Sequence, residues 1–182
     1  MVCMSFGFRK EIASIKAAIK QAEIARNESI VFFAAAANNG SNEREMFPAY
    51  LPSVISVRGT DNQGTFVGAY NPPPMPMNEG LALYGTLGEN VPFTSTETSS
   101  GCSVATPIMV GLMAMVRQWA SYNAASKHAQ EKLRTPAGVR ELCKKTAVKK
   151  ENNRYYVHVW ELFANNGENC VTLVDAAMLL LP

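Results

Sequence analysis

Three consecutive segments at the start of the chain constrain its fold most: an apolar run at Val2 to Phe6 (VCMSF), a periodic stretch from Lys10 to Arg26, and a second apolar run at Ser29 to Ala37 (SIVFFAAAA). The first ends at Gly7 and predicts a short buried strand with the loop after it. The second spaces Ile12, Ile15, Ile19, Ala22 and Ile24 close to a helical repeat with lysines on the other face, which predicts an amphipathic helix. The third is apolar throughout, as a strand covered on both faces is, and stops at Asn38-Asn39-Gly40. Strand, helix and strand within about 36 residues form a βαβ unit, so a parallel sheet is expected.

Downstream, Phe47 to Pro52 (FPAYLP) reads as a turn-rich connection and Ser53 to Gly59 (SVISVRG) as a further strand. Asn71 to Met77 (NPPPMPM) cannot join a ladder, because proline lacks the N–H, and is expected as an extended, solvated surface loop. The small and apolar residues from Thr106 to about Ser121 predict a buried helix, whose methionines and Trp119 belong to the core rather than to a cofactor site. Ala124 to Arg134 is polar and reads as an exposed helix or loop. Thr135-Pro136 opens another helix, reaching Ala147, with Val139, Leu142 and Cys143 on one face. Tyr155 to Phe163 is β-rich, and Val174 to Leu181 closes the chain as a short apolar helix. No repeat and no shift of composition divides residues 1–182, so a single domain is expected.

The 17 basic and 15 acidic residues are spread along the chain, which excludes the electrostatic footprint of a nucleic-acid or acidic-membrane binder. Cys3, Cys102, Cys143 and Cys170 are far apart and form no C-x-x-C pair, arguing against a metal knuckle or redox motif. No metal or cofactor is expected. The opening MVCMSFGFRKE turns charged before an h-region can form, and no apolar run is long enough to span a bilayer. Neither signal peptide nor transmembrane segment is therefore expected, and the compartment stays open.

The stretch from Ser99 to Gly111 (SSGCSVATPIMVG) sets a serine between a glycine-led turn and a proline that suits a helix start. A hydroxyl there is either a cap or a nucleophile. The unpaired N–H groups and the positive end of the helix dipole can hold an oxyanion, but local chemistry alone favours the cap.

Gly101 to Pro107 (GCSVATP) resembles the nucleophile motif of the subtilisin-like serine proteases, G-T-S-M-A-S/T-P, and Ala34 to Gly40 (AAAANNG) resembles the family's A-A-A-G-N-x-G. Val2 to Gly7 (VCMSFG) is similar to the family's V-x-N-x-S-L-G strand, Phe47 to Ala49 to its Y-P-A turn, SVISV to the strand V-I-x-V, and Leu83 to Ser95 to the segment before the nucleophile. The resemblance implies an α/β fold, a mostly parallel doubly wound sheet, with Ser103 as nucleophile and the Asn38 amide as oxyanion donor. It also implies that an extended polypeptide substrate or inhibitor pairs along Ser5, Phe6 and Gly7 and passes Ala36 and Ala37.

The family orders its triad Asp, His, Ser, and no D-S/T-G or H-G-T-x-x-A motif occurs in these residues. His128 is expected at the far end of the nucleophile's helix, about 24 Å away over sixteen residues. His158 alternates with Tyr156 and Trp160, as a packed strand histidine does. The resemblance therefore implies the C-terminal part of one catalytic domain, truncated at its N-terminus, with the missing part as a partner, an open apolar edge at Val2 to Phe6, poor solubility alone and little activity alone. Further departures are Ala37 in place of glycine, Cys102 where threonine is common, and Ile108-Met109 after the proline. The alternatives are a non-catalytic peptide-binding remnant of such a domain, or an unrelated α/β domain in which Ser103 only caps a helix.

Overall fold

The computed structural model describes residues 1–26, 29–122 and 126–158. The expected helix at Val174 to Leu181, Cys170, and residues 159–163 of the aromatic run lie outside the described residues. The strands are β1 (Val2–Met4), β2 (Phe32–Ala35), β3 (Val54–Thr60), β4 (Leu83–Leu87), β5 (Val91–Pro92), β6 (Thr98–Ser99), β7 (Ala147–Lys150) and β8 (Arg154–Val157). The helices are α1 (Ala13–Ala25), α2 (Cys102–Tyr122), α3 (Lys127–Lys132) and α4 (Pro136–Thr146).

Six strands form one sheet in the order β1-β2-β3-β4-β8-β7, parallel from β1 through β8 and closed by antiparallel β7. The register runs straight across the first three strands, Met4 opposite Ala34 and Ala34 opposite Ser56. Alternation along β2 divides the core. Phe32 and Ala34 pack with Met4, Ile19 of α1 and Val54 on one face, while Val31 and Phe33 pack with Ile55, Val57 and the α2 residues Met109 and Met113 on the other. Helices on both faces of a mostly parallel sheet make the doubly wound α/β architecture. It brings the carboxyl ends of β1 and β2 beside the start of α2.

Several elements differ from expectation for local physical reasons. Helix α1 begins at Ala13, with no side-chain cap at Ile12, and Ile24 is exposed because five residues of helix turn it about 140° away from buried Ile19. Among the described residues strand β1 pairs only with β2; Val2 and Cys3 are exposed and Met4 is buried. The helix expected to reach Ala147 stops at Thr146, and Ala147–Lys150 turns back along β8 as strand β7. Helix α4 itself starts as its sequence dictates: Pro136 is the first residue, and the Thr135 hydroxyl accepts from the Gly138 N–H at 3.1 Å.

The proline segment is a correction. Residues 71–75 have no regular structure and Pro76–Asn78 form a 3-10 turn; Pro73, Pro76 and Met77 are exposed as expected, yet the segment is tied to the body and Pro72 is buried. Glu45 accepts from the Met75 N–H at 3.2 Å and from the Asn78 amide at 3.0 Å, and Arg44 donates to the Pro74 carbonyl at 2.7 Å. Without N–H groups to pair internally, the segment takes its hydrogen bonds from charged side chains across the gap.

Candidate active site

Helix α2 begins at Cys102, four residues ahead of expectation, so Pro107 lies inside it rather than at its mouth. A proline at position 107 has no N–H to give the carbonyl four residues back, that of Ser103. The Ser5 hydroxyl donates to this carbonyl instead, at 2.9 Å. One sequence peculiarity thus fastens the start of α2 to the end of β1.

As the second residue of the helix, Ser103 is already past the capping position, and its own N–H is among those with no intrahelical partner. Its Oγ, half-buried, accepts from Asn38 Nδ2 at 3.3 Å. Asn38 follows β2 and is exposed, and its other terminus settles its orientation: Oδ1 accepts the Cys102 N–H at 2.7 Å. An N–H must point at the carbonyl oxygen, so the NH2 group is turned toward Ser103. Gly101 makes room for this contact. Its φ is +138°, and a Cβ there would lie 2.8 Å from Asn38 Oδ1 and 2.9 Å from Nδ2.

Asn38 NH2 and Ser103 Oγ therefore meet at the carboxyl ends of the parallel strands, beside the first turn of α2, whose N–H groups have no intrahelical partner. Ser5, Phe6 and Gly7 continue exposed beyond β1. Ala36 behaves differently from them. It is fully buried, with its N–H on Val57 O and its carbonyl on the Met46 N–H, so its backbone groups are already paired within the fold. Ala37 is buried with φ of +153°, a region that favours glycine; an ordinary residue held in such backbone costs about 1–3 kcal/mol.

Cys102 is fully buried, and its Sγ contacts Asn71 Oδ1 at 3.2 Å. Burial pushes its thiol up from the usual range, which leaves it in the structural role. Asn71, which the sequence marks only as the residue before three prolines, holds more than Cys102. Its amide also donates to Gly59 O at 2.6 Å and Val67 O at 2.9 Å, and its Oδ1 accepts the Gly59 N–H at 3.0 Å. It ties the start of α2 to the end of β3.

Neither described histidine approaches Ser103. His128 is exposed on α3, which meets α2 near Ala120, about 25 Å of helix away from Ser103. His158 follows β8, three to four strands from the ends of β2 and β1, or roughly 14–19 Å at the usual strand spacing.

A mostly parallel sheet with an oriented carboxamide after β2 and a serine in the first turn of the helix beside it is an arrangement that α/β serine peptidases use. The subtilase family model, peptidase S8, matches residues 1–159, and the chain belongs to that family. No curated protein sequence matches it. Among solved structures it is similar to a mutant of the protease domain of PatA (22% identity, TM-score 0.67, covering 96% of this chain and 60% of that one). It is also similar to the prenylagaramide maturation protease PagA (19%, 0.65, 97% and 62%) and to the PatG macrocyclase in complex with peptide (21%, 0.61, 97% and 50%). The chain thus spans some three fifths or less of the length of these structures.

Proposed function

We propose that these residues supply the nucleophile and the oxyanion donors of a subtilase that acts on polypeptides by acyl transfer. Ser103 Oγ attacks a peptide carbonyl while its proton passes to a base, and the negative oxygen settles between the Ser103 N–H and Asn38 Nδ2. Collapse breaks the C–N bond, the amine leaves with that proton, and water releases the acyl group from Ser103. The observation that carries the reading is the orientation of Asn38, fixed through Oδ1 by the Cys102 N–H, with Nδ2 at 3.3 Å from Ser103 Oγ.

The base and the carboxylate that orients it are absent from the described residues, and we assign them to a segment that pairs with the free side of β1. Support comes from the edge itself: β1 has one neighbour among the described residues, and Val2 and Phe6 beside it are exposed apolar side chains. Loss of the base costs about 10⁶ in turnover, near 8 kcal/mol of barrier, a figure that comes from subtilisin, a member of this family, and not from this chain.

The test is turnover of a peptide p-nitroanilide by residues 1–182 alone and by the protein in the length its source produces. No turnover by the first and turnover by the second, abolished by Ser103→Ala, is expected. Turnover by residues 1–182 that survives Ser103→Ala would refute the reading. Peptide binding by the longer form without any turnover would favour the non-catalytic remnant.

A further inference from the structure

At its amino end, the end away from Ser103, the sheet steps back. Pairing of β3 with β4 begins only at Val57, opposite Tyr84, so Val54 and Ile55 have no strand partner on that side among the described residues. The opening beside them is a pocket of about 420 Å³, within the size range of small-molecule sites. Its lining is largely aliphatic. Leu51, Val54, Ile55 and Leu83 form the walls, and Met77 and Leu81, 67% and 59% exposed, stand at the lip.

Two cations border the same pocket. Arg140 and Lys144 lie one turn apart on α4 and so share a face of it. Arg140 Nη2 donates to Pro52 O at 2.6 Å and Val54 O at 2.9 Å, while Nε and Nη1 have no acceptor among the described residues. The titratable neighbours that act on its charge are Tyr84 and Cys143, both held neutral because burial raises their pKa. Lys144 Nζ meets Glu141 only at 3.8 Å, and Glu45, the acid in the lining, is spent on Arg58. The donors of Ser56 and Asn78 are spent as well, on Glu45 and the Tyr50 carbonyl. What remains for a ligand is an aliphatic wall and unmatched positive charge.

We propose that this pocket binds a small aliphatic carboxylate, with its head group on Arg140 and Lys144 and its tail along Leu51, Leu81 and Leu83. An ionised carboxylate accepts from the unspent N–H groups of Arg140 and from Lys144, in bonds stronger than those between neutral groups. The tail takes the exposed apolar surface of Met77 and Leu81 out of water. A peptide terminus fits less well, because it brings amide carbonyls for which the other lining side chains have no donor left.

The test is calorimetric titration of the protein, in the length its source produces, with octanoate, octanamide, acetate and N-acetyl-alanyl-leucine. Octanoate is expected to bind about tenfold or more tightly than octanamide, which keeps the tail and loses the charge; that ratio is the least that hydrogen bonds to a charged group contribute. Acetate, which keeps the charge and loses the tail, should also bind more weakly. Lys144→Glu and Leu81→Asp, both at exposed positions, should each weaken octanoate severalfold and leave the denaturant midpoint nearly unchanged. Octanamide binding as tightly as octanoate, octanoate binding indifferent to both substitutions, or no octanoate binding at all overturns the proposal. Tighter binding of N-acetyl-alanyl-leucine than of octanoate overturns it in favour of a peptide C-terminus.

Discussion

Ser103 and Arg58 are both held in small hydrogen-bonded networks, and the two networks differ in what water can reach. Around Ser103, exposed Asn38 and exposed Ser5 each contribute one bond, and both partners reach solvent. Around Arg58 everything is closed. Arg58 is 1% and Glu45 4% exposed, their charges meet at 3.2 Å, and Ser56 bridges them with bonds of 2.9 and 3.2 Å. Glu45 also binds the Met75 N–H and the Asn78 amide, which fasten the proline segment. Burial pulls the Arg58 guanidinium down from its usual pKa, and the carboxylate beside it pulls back. A buried network in which every group is satisfied specifies structure, whereas the open network keeps donors unspent for a ligand.

Substitutions should therefore separate the two. The largest expected effect is Ser103→Ala in the protein that carries its base: turnover falls about 10⁶-fold, near 8 kcal/mol of barrier, while the denaturant midpoint moves little. A large loss of stability would break the contrast. Next, Glu45→Ala leaves a charge buried without its partner and should cost about 3–5 kcal/mol in chemical unfolding. Replacing Glu45 and Arg58 together with apolar residues of similar volume should recover much of that loss.

Asn38→Ala should lower turnover about 10²–10³-fold with KM little changed, because the lost bond forms to the developing oxyanion; that figure, too, comes from subtilisin, this family's own example. A rise in KM at constant turnover would make Asn38 a binding group instead. The smallest effect sharpens the contrast from the backbone side. Ala37→Gly should relieve strain of about 1–3 kcal/mol at the φ of +153°, reduced by the greater freedom of glycine in the unfolded chain, for a net gain of about 1 kcal/mol in unfolding free energy, read by chemical denaturation.

The parallel sheet and the buried helices were legible because apolar periodicity reports burial directly. Val31 to Ala37 is buried throughout, as its unbroken apolar run implies, and Val139, Leu142 and Cys143 share a buried face. The meeting of Ser103 with Asn38 was legible only through the resemblance of two short motifs to those of the subtilisin-like family, since local chemistry alone favoured a helix cap. Other features have no local signal. The burial of Glu45 and Arg58 leaves no local trace, because the partner that makes it tolerable lies 13 residues away. The proline segment reads as solvated because its anchors are side chains from elsewhere in the chain. Strand β7, with two lysines in four residues, carries no alternation that distinguishes it from a helix end, although lysines are what a protected sheet edge uses.

The central claim is that Ser103 is the group a base activates and that its base lies beyond the described residues. Fluorophosphonate labelling with peptide mapping tests this most directly, applied to residues 1–182 and to the protein in the length its source makes. The expected result is a single modified peptide containing Ser103 in the longer form and negligible labelling of residues 1–182. Labelling at another serine in the longer form, or equally fast labelling of Ser103 in both, would contradict it.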